Sequence, residues 1–260
     1  MTIGHRQWIA TLRESHNHLN TLVDGLSAAR IAGPSYCTEW STAQVLSHLG
    51  SGAEIGVINL EAALRGDPSP RDQYQAIWDV WNAKSPAAMA ADALVADERH
   101  ISTLEALDDS TLDAFRLEMM GRQLDATALV AMRLFEHAVH TWDVEVIDDD
   151  SIEIQDAPSQ LLVGRLADRI GRSASGPKPK ATPARIAVHV TAPDEVHGLA
   201  ITDDGVSLDD ETDGDGHLAI GAGALLRLVS GRLDPDHTPA STEISGPVSL
   251  GELRELFPGS

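Results

Sequence analysis

Cysteine is nearly absent from this chain: of its 260 residues only Cys37 is one. No internal disulfide can form, so packing, hydrogen bonding and bound groups must hold the fold. Aromatic residues make up only 4%, which leaves the core to aliphatic side chains. Basic residues are scarce too, with 19 Lys and Arg against 40 Asp and Glu, for a formal net charge of -21. A surface that acidic repels phosphate backbones and anionic lipid, so neither nucleic acid nor a membrane is expected as a partner. Long hydrophobic runs are missing as well. Nothing approaches the ~20 apolar residues of a membrane span. The opening MTIGHRQWIATLRESHNHL is polar and periodic, without the apolar centre of a secretory signal. A cytoplasmic protein is expected.

What is present is an ordinary apolar content, 42%, sufficient for a sizeable core. The length suits one large or two small domains. In the first part Trp8, Ile9, Leu12, Leu19, Leu22, Val23 and Leu26 recur at spacings of three and four, one face of a helix. After the loop AGPSYCTEW, Ser41 and Gln44 form the capping box of a new helix, with Trp40 and Val45 placed as its hydrophobic staple. His48 then falls about two turns inside. Further helices are expected over QYQAIWDVWNAK, after the Ser85-Pro86 start, and over ATALVAMRLFEHAVHTWDVEV behind a capping Asp125. FRLEMM reads as a short extended piece, and SQLLVGRLADRIGR as one more helix.

The Ser-, Gly- and Pro-rich SASGPKPKATP is the expected linker. Beyond it the period changes. ARIAVHVTA alternates as a strand, and HGLAITDDGVSLDD reads as two strands around an Asp-Gly turn. GHLAIGAGALLRLVSGRLD reads as strand then helix, STEISG as a strand and SLGELREL as a closing helix. The expectation is an α+β protein of two domains: a helical bundle over residues 1–172, a linker over 173–182 and a small α+β domain over 183–260.

Glu136 and His140 stand four apart in RLFEHAVHTWDV, on one face of a helix. Their flanks, Leu134, Phe135, Ala138, Val139 and Trp142, are apolar, so the carboxylate needs a partner. A metal ion would serve, since two ligands one turn apart suit a single cation; so would Arg133, three residues earlier. A third ligand would come from another helix, where His48 is best placed. Two His, one Glu and an open position is a known catalytic zinc arrangement. Glu14 and His18 share the spacing but lie on a charged face. Cys37 is expected to pack structurally. DDETDGDG begins like a calcium loop, yet Ile220 stands where a Glu is required, so it reads as a solvated turn.

CTEWSTAQVLSHLG, RLFEHAVHTWDV and, towards the C-terminus, GALLRLVSGRLDP with GPVSLGELRELFPG resemble signatures of the mycothiol-dependent maleylpyruvate isomerase family. The resemblance spans nearly the whole chain. It implies a DinB-like helical bundle followed by a small α+β domain. It also implies a divalent metal, zinc by this ligand set, held by His48, Glu136 and His140, and mycothiol or a similar thiol as cofactor. The activity implied is isomerisation of maleylpyruvate or transfer of the thiol onto an electrophile. The partners are then a small-molecule substrate and the thiol, with the chain a monomer or homodimer. A carboxylate substrate would call for arginine: Arg122 precedes the metal helix and Arg232 matches a family position. The family's arginine after the His48 helix has no clear counterpart, with Arg65 and Arg71 nearby but WDVWN in its place. A metal-free binding module that kept the fold, and a metal-dependent hydrolase, are the alternatives.

Overall fold

The structure, a computed structural model, describes residues 4–119, 121–173 and 182–259. The chain divides into two compact units, Met1–Ile152 and Glu153–Ser260.

The first unit holds α1 (His5–Gly25), α2 (Ala28–Ala32), α3 (Thr42–Arg65), α4 (Tyr74–Asn82), α5 (Pro86–Glu105), α6 (Asp109–Ala114), the hairpin β1 (Leu117–Met119) and β2 (Arg122–Leu124), and α7 (Ala126–Glu145). The four long helices make the bundle: α3 packs on α5 and α7, and α1 on α5 and α7. Their facing stripes are aliphatic. Leu12, Leu19, Leu46, Leu49, Leu60, Ile101, Leu104 and Leu134 are all essentially sealed from solvent. Helix starts follow local signals. Ser41 accepts from Gln44 N while the Gln44 side chain accepts from Ser41 N, a complete capping box. Ser85 caps α5 with Pro86 in its first turn, and Asp125 caps α7 by accepting from Ala128 N at 2.7 Å. Helices α3 and α5 approach closely because Gly50 has no side chain. A Cβ there would lie 2.2 Å from the Trp81 ring and 2.9 Å from the Ala93 backbone.

The second unit holds α8 (Asp156–Val163), α9 (Leu166–Ser173), β3 (Ala184–Thr191), β4 (Asp194–Thr202), β5 (Gly205–Asp209), β6 (Gly216–Ile220), α10 (Ala222–Val229), β7 (Glu243–Ser245) and α11 (Leu250–Leu256). Its sheet runs β5-β4-β3-β6-β7, antiparallel except for the parallel pair β3–β6. Ile186, Val188 and Val190 alternate inward along β3 with Leu218 and Ile220 of β6, and all are buried. The fold class is therefore the expected one, a helical N-terminal unit followed by an α+β unit.

Two local readings change. SQLLVGRLADRIGR forms two helices, not one, and both group with the second unit: α8 packs on α10 and α9 on β5. Leu161, Leu162, Val163, Leu166 and Ile170 are the side chains they bury. The boundary accordingly falls ahead of the expected linker over 173–182, of which residues 174–181 lie outside the described residues. The acidic DDETDGDG is an exposed connection from β5 to β6, where Arg185 meets two of the carboxylates: it donates to Asp209 Oδ1 at 2.7 Å and lies 3.2 Å from Glu211 Oε2. No described helix is long and apolar enough to cross a membrane.

Candidate metal centre

Two helices of the first unit bring the expected residues together. The capping box fixes where α3 begins, and hence that His48 lies in its second turn, facing α7. On α7, Glu136 and His140 project one turn apart toward it. His48 Nε2 lies 3.1 Å from Glu136 Oε2, and His140 Nε2 lies 3.4 Å from the same oxygen. Ligand atoms of all three residues fall within 4.8 Å of one another. The 3.1 and 3.4 Å separations are those of neighbouring donor atoms around a single first-row cation, whose bonds to N and O run about 2.0–2.2 Å.

The site is enclosed on one side and open on the other. His140 keeps 10% of its side-chain surface accessible, while His48 and Glu136 each keep 39%. Burial works against ionising Glu136, but hydrogen bonds from His140 and His48 outweigh it and hold the carboxyl well below its usual range. Burial likewise works against charging His140, and its contacts with Asp143, Cys37 and Glu136 outweigh that and raise its pKa. The cluster is thus built to keep negative charge on Glu136 with positive charge against it, the demand a divalent cation meets.

His140 is fixed from behind. Its Nδ1 lies 2.7 Å from Asp143 Oδ2, and Asp143 is fully buried. Cys37 Sγ donates to the same oxygen at 3.2 Å, and Tyr36 N donates to the Asp143 carbonyl at 2.9 Å. Cys37, His140 and Asp143 form a second group with ligand atoms within 4.8 Å of one another. Trp40, expected as the staple at the start of α3, sets its ring 5.3 Å from His48 and 6.3 Å from His140, and the two imidazoles stand 4.8 Å apart. An aromatic wall therefore borders the three side chains on one side.

The arginine expected as the alternative partner of Glu136 is engaged elsewhere. Arg133 is buried and donates through Nη2 to Asp97 Oδ1 at 2.7 Å and to the Leu49 carbonyl at 2.8 Å. Asp97, on α5, also takes His16 Nδ1 at 2.7 Å and has His137 Nε2 2.9 Å away. Burial opposes its charge, and His137 and Arg133 outweigh that to depress its pKa. This network escaped the sequence reading because its members are spread over α1, α5 and α7, and only Arg133 and His137 share a helical spacing. Asp143 had a signal that went unread, a carboxylate three residues after His140 on the same helix.

Arg122 is exposed on β2, and among the described residues its side chain makes no hydrogen bond or ion pair. Arg232 belongs to the second unit, where it is buried and donates to the Ser230 carbonyl at 2.8 Å. His18 pairs with Glu145 at 2.6 Å rather than with Glu14.

A family model, the mycothiol maleylpyruvate isomerase N-terminal domain, matches residues 12–145. The match contains His48, Glu136 and His140, and it covers more than half the chain. The chain belongs to this family. Two solved structures are similar to the chain in fold. One is a crystal structure of the mycothiol-dependent maleylpyruvate isomerase, with TM-score 0.68 and 12% identity over 96% of this chain and 98% of that chain. The other is a histidine-to-alanine mutant of that isomerase, with TM-score 0.67 and 13% identity over 96% and 98%. At such identity the likeness speaks for the fold. No curated protein matches the chain.

Proposed function

We propose that this protein is a metal-dependent enzyme that uses mycothiol or a similar low-molecular-weight thiol on a small electrophile, by isomerisation or by S-transfer. The observation that carries the reading is the convergence of His48 Nε2, Glu136 Oε2 and His140 Nε2 on one point with an accessible side. Family membership supplies the thiol and the isomerase chemistry.

The donor set fits the group. Two imidazoles and a carboxylate with a fourth direction open is a catalytic zinc pattern, though nickel or iron would also accept it. A divalent cation there would lower the pKa of a thiol, whose reversible addition to a conjugated double bond lets that bond rotate. The protein's part is positional. Glu136 supplies the negative charge, Asp143 and Cys37 hold His140, and the indole of Trp40 excludes water from one flank. Arg122 and Arg232 remain the candidates for a substrate carboxylate. Arg122 has an uncommitted guanidinium, and replacing it by Lys would raise KM for a carboxylate substrate if it binds one. The substrate is a small molecule and the site of action the cytoplasm, with no nucleic-acid or membrane partner and a monomeric or homodimeric chain.

The test is to assay the purified, zinc-loaded protein with maleylpyruvate in the presence and absence of mycothiol. Thiol-dependent turnover that disappears in Glu136→Ala is expected. Turnover of esters or amides with no thiol added would point to a hydrolase. No response of thermal stability to zinc, EDTA or thiol would point to a metal-free module.

A further inference from the structure

The two imidazoles of the cluster are held by different means. His48 is flanked by the Trp40 ring and remains partly accessible, and no carboxylate touches its Nδ1 among the described residues. His140 is buried and braced by a carboxylate that is itself inaccessible. The brace has its own support, because Cys37 Sγ donates to the same Oδ2 that takes His140 Nδ1. The Asp143 backbone carbonyl, in turn, ties the Cys37 loop to α7 through Tyr36 N.

We propose that Asp143 is a positioning residue of the metal centre. It accepts the Nδ1 proton of His140, fixes the ring plane, and leaves the Nε2 lone pair directed at the Glu136 and His48 side. A neutral imidazole carries one proton on one of its two nitrogens. A buried carboxylate 2.7 Å from Nδ1 places that proton on Nδ1, and the charge makes Nε2 a better donor to a cation. The same geometry decides between the two ligand groups that share His140. Nδ1 is committed to Asp143, so the ion is taken up with Glu136 and His48, and Cys37 stays a thiol that steadies the carboxylate. This inference rests on the metal reading above.

The experiment is Co(II) and Zn(II) titration of the wild type, Asp143→Asn, Asp143→Leu and Cys37→Ser, with thermal stability recorded in parallel. Asn keeps the shape and removes the charge, and Leu removes the acceptor. Affinity should fall by about 10–100-fold in Asn, the usual cost of losing such a partner, and further in Leu, without following the order of melting temperatures. Wild-type Co(II) spectra should lack an intense thiolate charge-transfer band. A wild type that binds no metal ends the metal reading, and this inference with it. A wild type that binds alongside an equally tight Asn variant ends the inference alone, as does a thiolate band that Cys37→Ser abolishes. If the Asp143 variants do not fold, nitrogen-15 spectra of zinc-loaded wild type give the same answer. A proton on Nδ1 and a ligated Nε2 at His140 support the assignment, and the reverse overturns it.

Discussion

Arg133 donates to Asp97 at 2.7 Å although Glu136 stands one turn away on the same helix. The choice matters for both halves of the molecule's chemistry. It gives the bundle a buried ion pair, and it leaves the Glu136 carboxylate to two imidazoles rather than to a fixed cation of the protein.

Removing Arg133 should therefore damage stability and spare the His48, Glu136 and His140 cluster. Arg133→Met leaves Asp97 buried without its cation, which costs about 3–5 kcal/mol when one partner of such a pair is deleted. Adding Asp97→Leu should recover only part of that loss, because the carboxylate's other buried partners, His16 and His137, then lose it too. Urea unfolding of the two single variants and the double variant measures the coupling. Metal bound per folded chain should be the same in all.

His100 gives the bundle a pH dependence of its own. It is buried on α5 near Arg133, Asp97 and His137, and a Cβ on Gly56 would lie 2.7 Å from its ring. Burial first, then the charge of Arg133, pushes its pKa down to about 3. The folded value lies below the unfolded one of about 6.5, so the stability tied to neutral His100 is present above that pH. It is lost as the pH falls from there toward about 3, at ~1.4 kcal/mol per unit. Between pH 7 and 4.5 the wild type should lose roughly 2 kcal/mol more unfolding free energy than His100→Leu. Equal losses would remove His100 from the account.

Gly50 is predicted to be intolerant of even a methyl group. Its missing Cβ admits the rim of the Trp81 ring, and Trp81 is held by its own indole N–H bond to Glu54 at 2.8 Å. Gly50→Ala would gain helix propensity but force α3 and α5 apart or displace Trp81. A net loss of about 1–3 kcal/mol is expected from overpacking, read as a lower denaturation midpoint at unchanged slope.

What was legible in the sequence followed from local signals. Ser41 with Gln44, Ser85 with Pro86, and Asp125 each start a helix as their side chains dictate, and the alternation of Ile186, Val188 and Val190 marks a buried strand face. Those starts set the position of His48 along α3, and four-residue spacing did the same for Glu136 and His140 on α7. What was not legible depends on packing. Arg133 sits three residues from Glu136, a spacing that allows a pair, but the neighbouring α5 offers Asp97 and the side chain goes there. The attachment of α8 and α9 to the second unit likewise depends on which partner covers their apolar stripes, a choice that no spacing encodes.

His48, Glu136 and His140 are expected to hold one divalent cation. Elemental analysis after equilibrium dialysis against zinc tests it most directly, on the wild type and on His48→Ala, Glu136→Ala and His140→Ala. About one ion per wild-type chain is expected, consistent with a three-residue catalytic site, with near-complete loss in each folded variant. A wild type without stoichiometric metal, or variants that retain it, would contradict it.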